Sequence, residues 1–178
     1  MKLVARKLPL CLAALCFVAV SGVVAQEKKA TAKPVTTEFK NSEGQTVGTA
    51  TLSEAPHGVK IKLDMKGLPA GEHSIHIHQV AKCESPDFKS AGPHFSPAGG
   101  MAHDHGSMPA GDIPDFTLII AADGTAHVSV VAPNVSFGDQ PNSVFSNGGT
   151  SIVIHAVGAP GASASPARIA CAVVKRPE

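Results

Sequence analysis

The 178 residues contain no tryptophan and no tyrosine, and phenylalanine occurs only seven times. Bases of single-stranded nucleic acid stack on aromatic rings, so with no Trp or Tyr a stacking surface of that kind is not expected. An excess of one charge is missing as well, because 15 basic residues face 14 acidic ones. Without a basic surplus there is no footprint for a phosphate backbone, and no nucleic-acid partner is expected. A long amphipathic helix repeat is also absent, and the one extended apolar run, residues 8–24, lies at the N-terminus.

Lys2, Arg6 and Lys7 precede that run, and Val23-Val24-Ala25 closes it with a small residue. Basic region, apolar region and small cleavage site are the order of a secretory signal. Residues 1–25 are therefore read as a signal peptide cut after Ala25. The run is short for a membrane span, so no membrane attachment is expected of the mature form. Export would be to the periplasm or the exterior. Losing 1–25 leaves 12 basic and 14 acidic residues, a charge of about −2.

Cysteine is scarce in what remains. Cys11 and Cys16 depart with the signal, leaving Cys83 and Cys171 as one possible pair. An oxidising compartment would let them bond. Closing so long a loop would stabilise the fold by at most ~4–5 kcal/mol in the chain-entropy model.

Residues 26–34 are polar, without periodicity, and read as a flexible leader. Residues 35–178 have the size of one domain. Short runs with strand character cover 35–40, 46–53, 58–65, 72–79, 115–121, 125–132, 151–156 and 168–175. Val59, Ile61, Leu63 and Met65 alternate with Lys60, Lys62, Asp64 and Lys66, the pattern of a half-buried strand. Turn residues such as Asn41-Ser42-Glu43-Gly44 and Ala122-Asp123-Gly124 separate consecutive runs. Eight short strands without a long helix predict an all-β class, an antiparallel sandwich or barrel. The stretch 80–114 has no strand period and is long enough to be functional. Metal coordination is expected to order it, since its apolar content is small.

What the chain does have is histidine, nine in all. His76 and His78 stand two apart in Gly71-Glu72-His73-Ser74-Ile75-His76-Ile77-His78, so a strand turns both to one face. His155 ends the run Ser151-Ile152-Val153-Ile154-His155, and His94, His103, His105 and Asp112 lie between. Several imidazoles on rigid strands suit copper or zinc.

These residues carry a resemblance. Gly71 to His78, Cys83, Gly92-Pro93-His94-Phe95-Ser96-Pro97, Gly111-Asp112-Ile113-Pro114, Ile154-His155 and Arg168-Ile169-Ala170-Cys171 occur in the order of the copper/zinc superoxide dismutases. The chain resembles their bacterial secreted branch over nearly its whole mature length. The resemblance implies an eight-stranded antiparallel Greek-key β-barrel with a long metal-binding loop. Its substrate would be superoxide. It implies copper on His76, His78, His94 and His155, with His94 bridging to zinc and carrying a proton. It gives Arg168 the task of attracting the anion beside copper, and His73 a structural hydrogen-bonding role.

Zinc is where the chain departs from that pattern. Asp112 matches the family's aspartate, but Pro109 stands where a histidine is expected three positions earlier. A shell of His94, His103, His105 and Asp112 is the expected substitute, with four ligands as zinc prefers. The segment 157–166 carries no charge, so the family's charged steering loop and its bridging aspartate are missing. His57 and His127 are read as surface or strand-packing residues. Met101 and Met108 flank the loop histidines as packing or as soft ligands during copper loading.

Two other functions compete. A copper-delivery protein on the same fold would carry a Cys-x-Cys transfer motif or lack some copper histidines, and this chain does neither. A zinc hydrolase is disfavoured, because it needs a general base beside the histidines and no Glu or Asp is evident there, Glu72 being the one residue to weigh. Monomer and homodimer both remain open.

Overall fold

The computed structural model describes residues 32–97, 108–157 and 166–177. The expected signal peptide and most of the expected leader lie outside the described residues, as do His103, His105 and Met101. Eight strands form, β1 (Val35–Asn41), β2 (Thr46–Ala55), β3 (Gly58–Met65), β4 (Gly71–His78), β5 (Leu118–Ile120), β6 (Ala126–Ala132), β7 (Thr150–His155) and β8 (Arg168–Val174). They pair antiparallel in the order β5-β4-β7-β8-β1-β2-β3-β6, an all-β, nearly closed barrel. β6 returns to lie beside β3, and β7 beside β4. These two returns are Greek-key connections.

Alternation builds the interior. In β3 the buried Val59, Ile61, Leu63 and Met65 point inward, and Lys60, Lys62 and Asp64 stay exposed. Ile75 and Ile77 of β4 and Ile152 and Ile154 of β7 join the same core. The opposite face of β7 is buried too, with Ser151, Val153 and His155 covered. Such double burial requires a layer outside the barrel, and the loop after β4 supplies it.

Part of that loop orders itself by its own apolar groups, which is more than its composition suggested. Phe88, Ala91, Val153 and Cys171 form a second buried cluster, with Cys83 packed against it. The disulfide between Cys83 and Cys171 fastens the cluster to β8. β5 is shorter than the run 115–121 had suggested. Pro114 and Asp115 form a turn, with Asp115 in the left-handed region at φ 57°, so the chain becomes extended only at Leu118.

Candidate metal centre

His76 and His78 stand on the outer face of β4, and His155 lies across the pairing on β7, where His78 faces Ser151 and Ser74 faces His155. The fourth imidazole arrives from the loop. His94 forms an isolated antiparallel bridge with His78, and Phe95 N–H donates to the Ile77 carbonyl at 2.8 Å. Across His76, His78, His94 and His155, one ligand atom from each ring lies within 4.8 Å of every other.

Each ring's orientation follows from what its other nitrogen meets. A carbonyl or carboxylate only accepts, so the nitrogen facing it carries the proton. His78 Nδ1 donates to the Gly92 carbonyl at 2.9 Å, and His155 Nδ1 to the Pro166 carbonyl at 3.2 Å. Both Nε2 atoms are then lone pairs, and they face each other at 3.3 Å. Two lone pairs at that distance repel unless a cation or proton lies between them. His76 offers the opposite atom: its Nδ1 is buried and has no hydrogen-bond partner. An orphaned buried nitrogen is costly unless something occupies its lone pair. Ions such as zinc bind imidazole at ~2.0–2.1 Å, which puts opposed ligands ~4 Å apart, close to the spacing here. The donor set fits a transition-metal ion.

His76, His78 and His155 are also held in the protonation state that a metal needs. Burial, reinforced by the neighbouring imidazoles, lowers His76 to about 4. Burial lowers His78 to about 3, against the Gly92 carbonyl, which favours the charged ring. His155 is lowered by burial as well. Neutral imidazole is the ligand form, so these rings are ready at neutral pH without releasing protons.

His94 connects the cluster to the expected zinc side. Its Nδ1 donates to Asp112 Oδ1 at 2.6 Å. Gly111, beside Asp112, makes this approach possible. Gly111 N–H donates to Phe95 at 2.9 Å, and its carbonyl accepts from Ile77 N–H at 2.9 Å. A Cβ at residue 111 would lie 2.1 Å from the Ile77 carbonyl oxygen. Only glycine lets the backbone carrying Asp112 come this close to β4. Of the expected zinc set, the structure brings His94 and Asp112 together. His103 and His105 lie outside the described residues.

Arg168 opens β8 and reaches back over the loop. Its Nη1 donates to the Phe88 carbonyl at 2.7 Å and its Nη2 to the Gly92 carbonyl at 2.8 Å. One Gly92 oxygen thus serves both Arg168 and His78. Phe88 itself is left-handed, φ 53° and ψ 23°, and fully buried. That conformation costs on the order of 1–2 kcal/mol for a bulky residue. Burying a phenylalanine returns about 1.5–3 kcal/mol, so packing wins. Asp87 lies close enough for its carboxylate to act on the guanidinium, and Lys89 pairs with Asp87 at 2.9 Å.

The remaining histidines take quieter positions. His73 is buried on the inner face of β4, with Nδ1 2.9 Å from the His155 carbonyl and Nε2 2.8 Å from the Pro69 carbonyl. It touches the backbone of a cluster residue without facing the cluster. His127 is exposed and 3.2 Å from Asp64. His57 sits in the turn between β2 and β3. Sequence reasoning missed Phe88 and the carbonyls of Gly92 and Pro166. A lone aromatic in a loop has no period, and backbone acceptors have no residue signature.

Known proteins resemble this chain in sequence and in fold. The family model described as copper/zinc superoxide dismutase matches residues 46–174. A Cu-Zn superoxide dismutase of Aquifex aeolicus is 40% identical over 172 residues, covering 91% of this chain and 96% of its own. That of Caulobacter vibrioides is 37% identical over 155 residues, covering 79% and 84%. Among solved structures, a double mutant of a SOD-like protein from Bacillus subtilis superposes with a TM-score of 0.68 at 29% identity, covering 79% and 97%. The Cu/Zn superoxide dismutase from Brucella abortus gives 0.61 at 28%, covering 80% and 100%. The family match begins with β2, ends with β8 and includes all four clustered histidines, so the chain belongs to the copper/zinc superoxide dismutase family of oxidoreductases, whose metals are copper and zinc.

Proposed function

We propose that this chain is an exported superoxide dismutase, with copper held by His76, His78, His94 and His155. The observation that carries the assignment is the set of lone pairs converging between β4 and β7, the partnerless His76 Nδ1 above all. When bound, copper supplies one-electron exchange, and the overall reaction takes two superoxide ions and two protons to dioxygen and hydrogen peroxide. The chain's own residues do the rest. Arg168 has two of its five N–H donors on loop carbonyls, which leaves others for the anion. Its charge persists at any working pH. With Nδ1 on Asp112, His94 turns Nε2 to the cluster, and we assign Nε2 the proton that product formation requires; zinc binding on the Asp112 side would displace the Nδ1 proton.

Zinc would take His94, Asp112, His103 and His105, with His94 shared between the two metals. Export rests on the N-terminal signal pattern and on the disulfide, which needs an oxidising compartment to form. The periplasm satisfies both. A delivery protein is disfavoured because a transfer site leaves a ligand position exchangeable, whereas here three ring nitrogens are fixed by backbone or carboxylate acceptors.

Metal analysis of the purified mature protein, beside a dismutation assay, tests the reading. About one copper per chain with rapid dismutation is expected. A copper-loaded protein without dismutase activity would overturn it.

A further inference from the structure

The guanidinium of Arg168 rests on two loop carbonyls, so whatever fixes that loop also fixes the charge. Little regular structure does so. Around the three-residue turn Lys89–Ala91, the bonds Phe88 N–H to Glu84, Ala91 N–H to Phe88 and Gly92 N–H to Lys89 are all local. They shape the segment without tying it to the barrel. The Ala91–Pro93 end is tied to β4 and the residues after it, through Val80 N–H to the Ala91 carbonyl at 3.0 Å, Gln79 N–H to the Pro93 carbonyl at 2.9 Å and His78 Nδ1 to the Gly92 carbonyl at 2.9 Å. At the Phe88 end, attachment comes from the disulfide and from the Phe88 ring, buried against Ala91, Val153 and Cys171. The same residue holds a left-handed backbone and presents its carbonyl to Arg168 Nη1 at 2.7 Å. A bulky residue keeps that conformation only where its surroundings hold it. Without its pocket, residue 88 relaxes to ordinary backbone angles, and the peptide plane bearing its carbonyl turns with it.

We propose that Phe88 is a positioning residue for anion guidance: burial of its ring holds its own carbonyl, and through it the Arg168 guanidinium, in place for the superoxide anion. The proposal rests on the dismutase reading above. None of the four clustered histidines bonds to Phe88, so its influence on the anion is separable from metal retention. Gly92 is shared with His78, so copper content must be followed in every variant.

The test uses Phe88→Ala, Phe88→Leu, Arg168→Ala and the Phe88→Ala/Arg168→Ala double variant. Each is copper-loaded, with its disulfide verified by intact mass and its Cu(II) electron spin resonance recorded. Two readouts are compared at low ionic strength: the rate constant for superoxide and the affinity for azide, a small anion titrated by absorption. Removing a guiding charge reduces encounter by roughly tenfold or more. Arg168→Ala should show that loss, Phe88→Ala should approach it with an unchanged copper spectrum, and Phe88→Leu should fall about threefold short of wild type on the same scale. In the Arg168→Ala background, Phe88→Ala should cost no more than about twofold, because the group it positions is gone. Phe88→Ala with wild-type azide affinity, or a double variant far below Arg168→Ala, would overturn the proposal. Should Phe88→Ala fail to load copper, Phe88→Leu decides, and a Leu variant equal to wild type counts against the idea. If wild type holds copper but does not dismutate, the dismutase reading fails while azide coupling still tests Phe88.

Discussion

Alternate residues of β7 enter two different cores. Ile152 and Ile154 point into the barrel with Ile61, Leu63 and Ile77, while Val153 points outward into the small cluster with Phe88, Ala91 and Cys171. The first core is large and joins all eight strands, so it carries the stability of the fold. The second contains four buried residues and joins one loop to β7 and β8, so it carries the geometry of the site. The outer face also bears the histidines, because the period of two that sends isoleucine inward sends His76 and His78 outward. Stability and chemistry are thus divided between the two faces of the same strands, and damage to one should spare the other.

The sharpest separation is expected at the ligands. His76→Ala or His155→Ala should abolish dismutation while leaving a folded barrel, checked by assay beside circular dichroism. Full activity at full copper occupancy in either variant would remove the assignment. Next in size is the staple of the outer core. Replacing Cys83 and Cys171 together by serine should lower stability by up to ~4–5 kcal/mol in denaturant unfolding. The same change should release the loop that holds Arg168, so both sides of the division suffer there.

Ile61→Ala tests the inner core alone. β3 takes no part in the histidine cluster, so a loss of ~2–5 kcal/mol in urea unfolding should leave copper affinity unchanged. Equal loss of copper binding would show that the two faces are coupled. Acid gives a subtler test in metal-free protein. Folding holds His76 at about 4 and His78 at about 3 against an ordinary value of 6.5, and lowers His155 too. The unfolded chain therefore binds more protons between those values, and stability falls as pH drops from 6.5 toward 3–4. Melting temperature against pH reads this directly, and His76→Ala should flatten the slope. A melting temperature independent of pH across that window would contradict the buried neutral state of His76, His78 and His155.

The smallest effect is expected at zinc. His103→Ala and His105→Ala should each weaken zinc retention, measured by metal analysis after dialysis, without emptying the copper site. If only one of them loses zinc, the other is not a ligand. Wild type that binds copper alone and remains fully active would place the chain with copper-only dismutases.

The amino-acid sequence determined a good deal by itself. The alternation of Val59 through Met65 specifies β3, and two histidines at i and i+2 share one face of any strand. Turn residues divide the eight runs close to where the strands end, and Cys83 and Cys171 prove to be the bonded pair. Local periodicity and simple counting suffice for such features, because the physics involved acts between near neighbours along the chain. The rest needed the fold. β5 shortens because Pro114 and Asp115 turn there. The ring nitrogens that His78 and His155 offer depend on the carbonyls of Gly92 and Pro166, which carry no residue identity. Phe88 looks like any loop aromatic until Val153 and Cys171 close over it. Gly111 gains its meaning only from the 2.1 Å a Cβ there would leave to Ile77. Tertiary structure decided these matters because each depends on which distant backbone atom arrives within hydrogen-bonding or packing distance, and chain closure alone sets that.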